Sequence, residues 1–211
     1  MDQSSSHIET LRFGPVSPTA VHLCIDMQLM FSEATKWASP AVGQVLPAIM
    51  EICSYAAQRT IFTRFLTPPN LSAARRHWCH FYEESSSMLA ENIKTEQLEI
   101  VPALRRFVPP ARMVSRYVFS AFASPVLEET LDLLRADTLL LSGIESDVCV
   151  LATALGAIDR GFRLIIVKDA IASSKFAGHE AVTKGIYPRF DQQVEMITAE
   201  RALSLWNPVP P

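Results

Sequence analysis

The chain has 211 residues, 49% of them hydrophobic and 19% charged, with 19 Lys+Arg against 22 Asp+Glu for a formal net charge of -3. This is a globular balance, and the length suits a single domain with a sizeable core. It offers neither a run of 18 apolar residues to cross a bilayer nor a basic field to hold a phosphate backbone, so membrane and nucleic-acid partners are excluded from the reading.

Residues 1–19 are polar, Ser-bearing and punctuated by Pro15 and Pro18, and they read as an N-terminal arm. The opening MDQSSSHIETLRFG shows no basic stretch leading into an apolar run, which argues against a secretory signal. Cys24, Cys53, Cys79 and Cys149 are scattered, without C-x-x-C spacing. Both features predict a reducing, cytoplasmic setting. Residues 20–206 read as one domain and 207–211 as a Pro-rich tail. Within the domain AVHLCIDM, from Ala20, has the short apolar character of a buried strand ending on a carboxylate, Asp26. Apolar spacing predicts a helix over 41–58, and TIFTRFL at 60–66 predicts a second strand.

Residues 67–98 break the alternation. Pro68-Pro69 opens a loop, His77 to Phe81 is aromatic-rich and Ser85-Ser86-Ser87 interrupts a helix, so this stretch reads as a lid or insertion. ARMVSRYVFSAF then predicts a strand running into a loop, Pro125 to Arg135 a helix and TLLLSGI at 138–144 a buried strand. Ser146 or Asp147 is the expected cap of the helix VCVLATALGAIDR, which stops at Gly161. FRLIIVKDA, a helix from about His179, the strand QQVEMIT and a short helix complete the order. Strands alternating with helices predict a three-layer α/β/α domain, Rossmann-like, on a mainly parallel sheet of about six strands. Glycine is scarce, at 7 residues, and no dinucleotide or P-loop motif occurs, so no cofactor is expected.

Ligands of open parallel sheets sit beyond the carboxyl ends of the strands. Three polar residues fall at such ends: Asp26, Arg116 after RMVS, and Cys149 just past TLLLSGI at the opening of a helix. A thiol in a first helical turn gains thiolate character from the unpaired N–H groups and the macrodipole there.

These stretches resemble the isochorismatase-like cysteine hydrolases, which include nicotinamidases and N-carbamoylsarcosine amidohydrolases. LCIDMQLMF resembles the family's strand-Asp motif, SRYVFSAF its Lys-x-x-x-Ser-x-Phe/Trp stretch, GIESDVCVLATALGAIDRGF its nucleophile elbow and VKDAIASS its following strand, in the family's order from about residue 20 to 200. The resemblance implies an amide-type C–N hydrolase in which Asp26 shuttles protons and Cys149 forms a thioester. The family's Lys falls on Arg116, which keeps a positive charge but cannot exchange a proton. A cis peptide between Ile144 and Glu145 is also implied, with the N–H groups of Glu145 and Cys149 as the oxyanion hole.

Nicotinamidases bind a metal through an Asp-x-His after their second strand. TRFLTPPN lacks it, so no metal is expected and His77, Cys79 and His80 read as part of a helix or lid. Phe119, Phe122, His179 and Trp78 are the residues expected to line the substrate pocket. A small-molecule substrate and a homo-oligomer are the partners implied. Two alternatives stay open: a binding or assembly protein of the same fold with impaired catalysis, and a vinyl ether hydrolase of the isochorismate type.

Overall fold

The computed structural model describes residues 11–210, and its six strands form one wholly parallel sheet. They are β1 (Val21–Ile25), β2 (Thr60–Phe65), β3 (Arg112–Arg116), β4 (Thr138–Gly143), β5 (Arg163–Ile171) and β6 (Val194–Ile197), in the order β3-β2-β1-β4-β5-β6. The chain starts at the centre, steps outward to β3, returns to the other side of β1 as β4 and steps outward again. That return makes the β1/β4 boundary the topological switch point, where crossovers depart to opposite faces and open a crevice beyond the strand ends.

The flanking helices are α1 (Ala41–Ala56), α2 (Trp78–Glu84), α3 (Pro125–Leu133), α4 (Cys149–Asp159), α5 (Phe176–Glu180) and α6 (Ala199–Leu205). Every residue of β1 and β4 is buried, which is why both read as continuous apolar runs rather than alternating ones. Strand alternation sorts their side chains into two layers. Val21, Leu23, Ile25, Leu139 and Leu141 face α3 and α4, whereas Cys24, Phe62, Leu140 and Ile165 face α1 and α6. Helix α1 buries a stripe of Ala41, Val45, Ile49, Ile52 and Ala56, and the rest of its predicted span tightens into a 3₁₀ turn over Ala57–Arg59.

Several boundaries depart from the sequence reading. Val148, not Ser146 or Asp147, occupies the N-cap of α4 and offers no side-chain cap. Ser146 is drawn elsewhere, its Oγ lying 3.0 Å from His179 Nδ1. The far end of α4 behaves as expected, with Gly161 at φ 79 just beyond it. Helix α5 starts at Phe176, three residues before His179, and continues as a π-helix over Ala181–Ile186. Residues 1–10 of the expected arm lie outside the described residues. Beyond them Val16 is buried and bridges Trp206.

The irregular stretch 67–98 folds into α2 and three 3₁₀ turns. Both its ends are fastened by Gln28, a wholly buried amide just past β1. Its Nε2 donates to the carbonyls of Phe65 (3.0 Å) and Leu98 (2.7 Å), and its Oε1 accepts from Phe65 N–H (2.7 Å). The amide satisfies three main-chain groups that the sheet leaves over.

Two features of the central strands carry measurable consequences. Gly143 lies at φ 110 against β1, and a Cβ built there would meet the Ile25 carbonyl oxygen at 2.0 Å and its nitrogen at 2.7 Å. The obstruction is main chain in the most buried strand, so relief requires the sheet to part. Gly143→Ala is expected to lower stability by at least about 3 kcal/mol, read by urea denaturation; a loss below 1 kcal/mol would contradict this account.

His22, fully buried on β1, sits 2.7 Å by Nε2 from Ser142 Oγ and 3.2 Å by Nδ1 from Thr60 Oγ1. Burial lowers its pKa to about 3. Between the ordinary imidazole value near 6.5 and that value, the unfolded chain takes up a proton that the folded chain refuses. Stability is therefore full above about pH 6.5 and falls as the pH drops toward 3, by up to about 5 kcal/mol. The His22→Gln protein is expected to show a shallower acid slope across that window, measured by denaturation at a series of pH values; identical slopes would remove His22 as the cause.

Candidate active site

The carboxyl edge of the sheet gathers three of the residues picked out by position in the sequence. Asp26 is the first residue after β1, Arg116 the last of β3 and Cys149 the first of α4. Arg116 Nη2 donates to Asp26 Oδ2 at 2.6 Å and to the Phe119 carbonyl at 3.1 Å. The Thr63 hydroxyl, from β2, donates to the other carboxylate oxygen at 2.9 Å. Both ionic side chains are about 1% exposed, so the pair is nearly stripped of water and depends on this partnering. The Cys149 thiol lies near enough to both for their charges to act on it.

The arrangement leaves part of the guanidinium in reserve. Arg116 Nε and Nη1 are buried without a hydrogen-bond partner among the described residues, and Cζ lies 5.3 Å from the centre of the Phe65 ring. The aromatic face supplies partial compensation to a cation held out of water. Burial weighs against the Arg116 charge, but Asp26 and Cys149 beside it carry the net direction upward, so it is a permanent cation.

The thiol behaves differently from the expectation based on the helix start. Burial pushes Cys149 well above the ordinary thiol value and the Asp26 carboxylate adds to the rise, while Arg116 pulls it down by less. At rest the sulfur carries its proton. A base in contact is then required to make the thiolate, and Asp26 is placed to act as one.

Around the sulfur the main chain turns toward open space. The Ile144–Glu145 peptide is cis. Among the hydrogen bonds of the described residues none uses the amide N–H of Glu145 or of Cys149, while both residues line a cavity of about 550 Å³. The Glu145 carboxylate turns away from the amide, accepting from Ser173 Oγ (2.7 Å) and Ser174 N–H (2.6 Å). It thereby clips the loop after β5 onto the elbow. The cavity walls are Phe31, Trp37, Phe65, Phe81, Phe119 and Val148, with Lys36, Ser174 and Lys175 among its polar residues. Two N–H donors beside a thiol, at the edge of an apolar cavity, suit a polarised carbonyl oxygen above the sulfur.

Of the four residues expected to line the pocket, Phe119 does so. Phe122 does not: the 3₁₀ turn at Ala121–Ala123 sends it inward, 6.0 Å from the Phe162 ring and 4.6 Å from the Arg160 guanidinium. His179 is also absent from the wall, being held by Ser146 where α5 backs the elbow. Trp78 stands one ring behind the wall, 4.9 Å from Phe119, and borders a separate shallow groove. Residues missed in the sequence are Thr63 and Gln28, which hold the strand ends, and Lys36, Trp37 and Lys175. A Thr within TIFTRFL, on the strand next to the one that carries Arg116, is the one available signal.

No carboxylate or imidazole occurs in Leu66-Thr67-Pro68-Pro69 after β2, so a metal of the Asp-x-His kind has no donors there. Cys79, His80 and Glu83 bring donor atoms within 4.8 Å of one another on α2, with His80 and Glu83 on its exposed side. His80 and Glu83 are already hydrogen-bonded at 2.9 Å. A wider open groove along α1, lined by Leu46, Met50, Tyr55 and Leu203, contains none of the residues above.

Comparison with known proteins gives the family and the fold. The sequence model of the Isochorismatase domain matches residues 20–200. Nicotinamidase 3 of Arabidopsis thaliana is 29% identical over 202 residues, 95% of this chain and 96% of that protein. Among solved structures, a cysteine hydrolase from Pseudomonas syringae pv. phaseolicola 1448A superposes with a TM-score of 0.76 at 20% identity, covering 90% of this chain and 93% of its own. The N-carbamoylsarcosine amidase of Thermoplasma acidophilum gives 0.67 at 17% identity, covering 86% and 96%. With the family match spanning most of its length, the chain belongs to the isochorismatase family.

Proposed function

We propose that this protein is a cysteine hydrolase that cleaves a C–N bond of a small amide through a Cys149 thioester. The observation that carries the reading is the meeting of Asp26, Arg116 and the Cys149 thiol at the switch point, beside a cavity lined by Glu145 and Cys149, whose amide N–H groups make no hydrogen bond among the described residues. The names of two relatives, Nicotinamidase 3 and N-carbamoylsarcosine amidase, belong to amide hydrolases and support the same chemistry.

The steps follow from the protonation states. Asp26 accepts the thiol proton as Cys149 Sγ bonds to the carbonyl carbon, and the carbonyl oxygen, now negative, takes the N–H groups of Glu145 and Cys149. As the C–N bond breaks, Asp26 returns that proton to the departing nitrogen, leaving a thioester and a free amine or ammonia. Water then attacks the thioester carbon, with Asp26 as base. The C–S bond breaks, the carboxylic acid departs and the proton passes back to sulfur.

Arg116 moves no proton in this scheme, because a guanidinium stays charged throughout. It aims the Asp26 carboxylate and offsets the negative charge that develops on sulfur. An ammonium at that position could exchange protons; Arg116 confines the whole traffic to Asp26.

Assay against a panel of small primary amides is the test. Cys149→Ala is expected to remove turnover while leaving the circular dichroism spectrum intact, and Asp26→Asn to reduce kcat at least about a hundredfold. Arg116→Lys keeps the charge and is expected to keep more activity than Arg116→Met, which lacks it. Undiminished hydrolysis by the Cys149→Ala protein would overturn the scheme, as would a native protein that binds amides tightly without cleaving them.

A further inference from the structure

The walls of the Cys149 cavity say what kind of molecule it admits. Phe31, Trp37, Phe65, Phe81 and Phe119 present flat apolar faces, and Phe65 and Phe119 are stacked with ring centres 6.2 Å apart. Such walls accept a planar or compact apolar group with little loss of hydration. An aromatic enclosure of this kind also suits an organic cation, so charge decides between guests.

The charges can be accounted for one by one. Asp26 and Arg116 neutralise each other beneath the floor. The carboxylate of Glu145 accepts from the neutral donors Ser173 and Ser174, so its negative charge stands against one of the cations at the wall. Two cations stand at the wall on separate segments of chain, exceeding that carboxylate by one charge. Lys36 Nζ donates to the main-chain carbonyl of Glu84, a neutral acceptor that leaves the positive charge uncompensated. Lys175, exposed at the start of α5, forms no ion pair among the described residues. An apolar enclosure with two ammonium groups against one carboxylate carries a net positive charge, which disfavours cations and favours anions.

We infer that the substrate is an amide whose acyl part joins a flat apolar group to an anionic group remote from the scissile carbonyl, and that Lys36 and Lys175 are the residues selecting for that anion. This rests on the amidase reading above, since it places the scissile carbonyl at Cys149. The apolar portion lies against the Phe65–Phe119 stack and the anion emerges between the two lysines, where partial exposure keeps the cost of desolvating it low.

The inference is tested with matched probes: benzamide, 3- and 4-carbamoylbenzoate, and 4-(aminomethyl)benzamide. Binding to the Cys149→Ala protein is measured by calorimetry, and hydrolysis is measured with the native protein. At low salt at least one of the two anions is expected to bind at least about threefold more tightly than benzamide, with the cation weakest and the preference shrinking as sodium chloride is raised. In Lys36→Met and Lys175→Met the ratio of anion to benzamide affinity is expected to fall toward one. Binding that fails to favour either anion, or a preference that survives both substitutions, overturns the inference. Hydrolysis of benzamide and the anions at equal efficiency leaves the amidase reading standing and overturns this one. Anion-selective binding without hydrolysis by the native protein overturns the amidase reading and, with it, the claim of an amide substrate, leaving only the charge selection by Lys36 and Lys175.

Discussion

The contact between Arg116 and Asp26 is the constraint around which the rest of this protein is arranged. A carboxylate and a guanidinium, each about 1% exposed, cannot be left unpaired without a penalty of several kcal/mol, so the strands that carry them must end at matching depth. The sheet order supplies that match. β1 and β3 are separated only by β2, whose Thr63 fills the gap by donating to the same carboxylate. Once the pair is set, the thiol at the head of α4 meets a fixed acid and a fixed cation. Its raised pKa comes first from burial at that depth, with the Asp26 carboxylate adding to the rise.

Much of this was legible in the chain because parallel strands buried on both faces announce themselves as apolar runs. AVHLCIDM and TLLLSGI gave away both their burial and their ends, and a polar residue stationed just beyond such a run was informative because the fold leaves few reasons for it. Residues whose role comes from long-range contact were harder to see. Lys36 and Trp37 lie in a stretch without periodicity, and their place in the wall depends on α2, more than 40 positions later, packing Phe81 against Trp37. Gln28 read as an ordinary polar residue, although it ties together three main-chain groups.

The misreadings share a cause. Phe122 and His179 are expected to line the pocket, but a 3₁₀ turn sends the first inward and Ser146 holds the second. Trp78 packs against Phe119, one ring behind the wall. The thiol shows a related difficulty at the level of electrostatics. The helix start favours a thiolate, and only the depth of the site and the sign of its neighbour reveal that these opposing influences dominate.

Glu145 joins two tasks in one residue. The residue lines the cavity beside Cys149, and its side chain grips the strand-exit loop that leads into Lys175. The wall that would polarise a carbonyl and the wall that would sort guests by charge are therefore hinged on a single backbone unit. A lineage that reshaped the loop to accept a new guest would have to preserve this grip, which ties the breadth of the binding repertoire to the integrity of the reaction machinery.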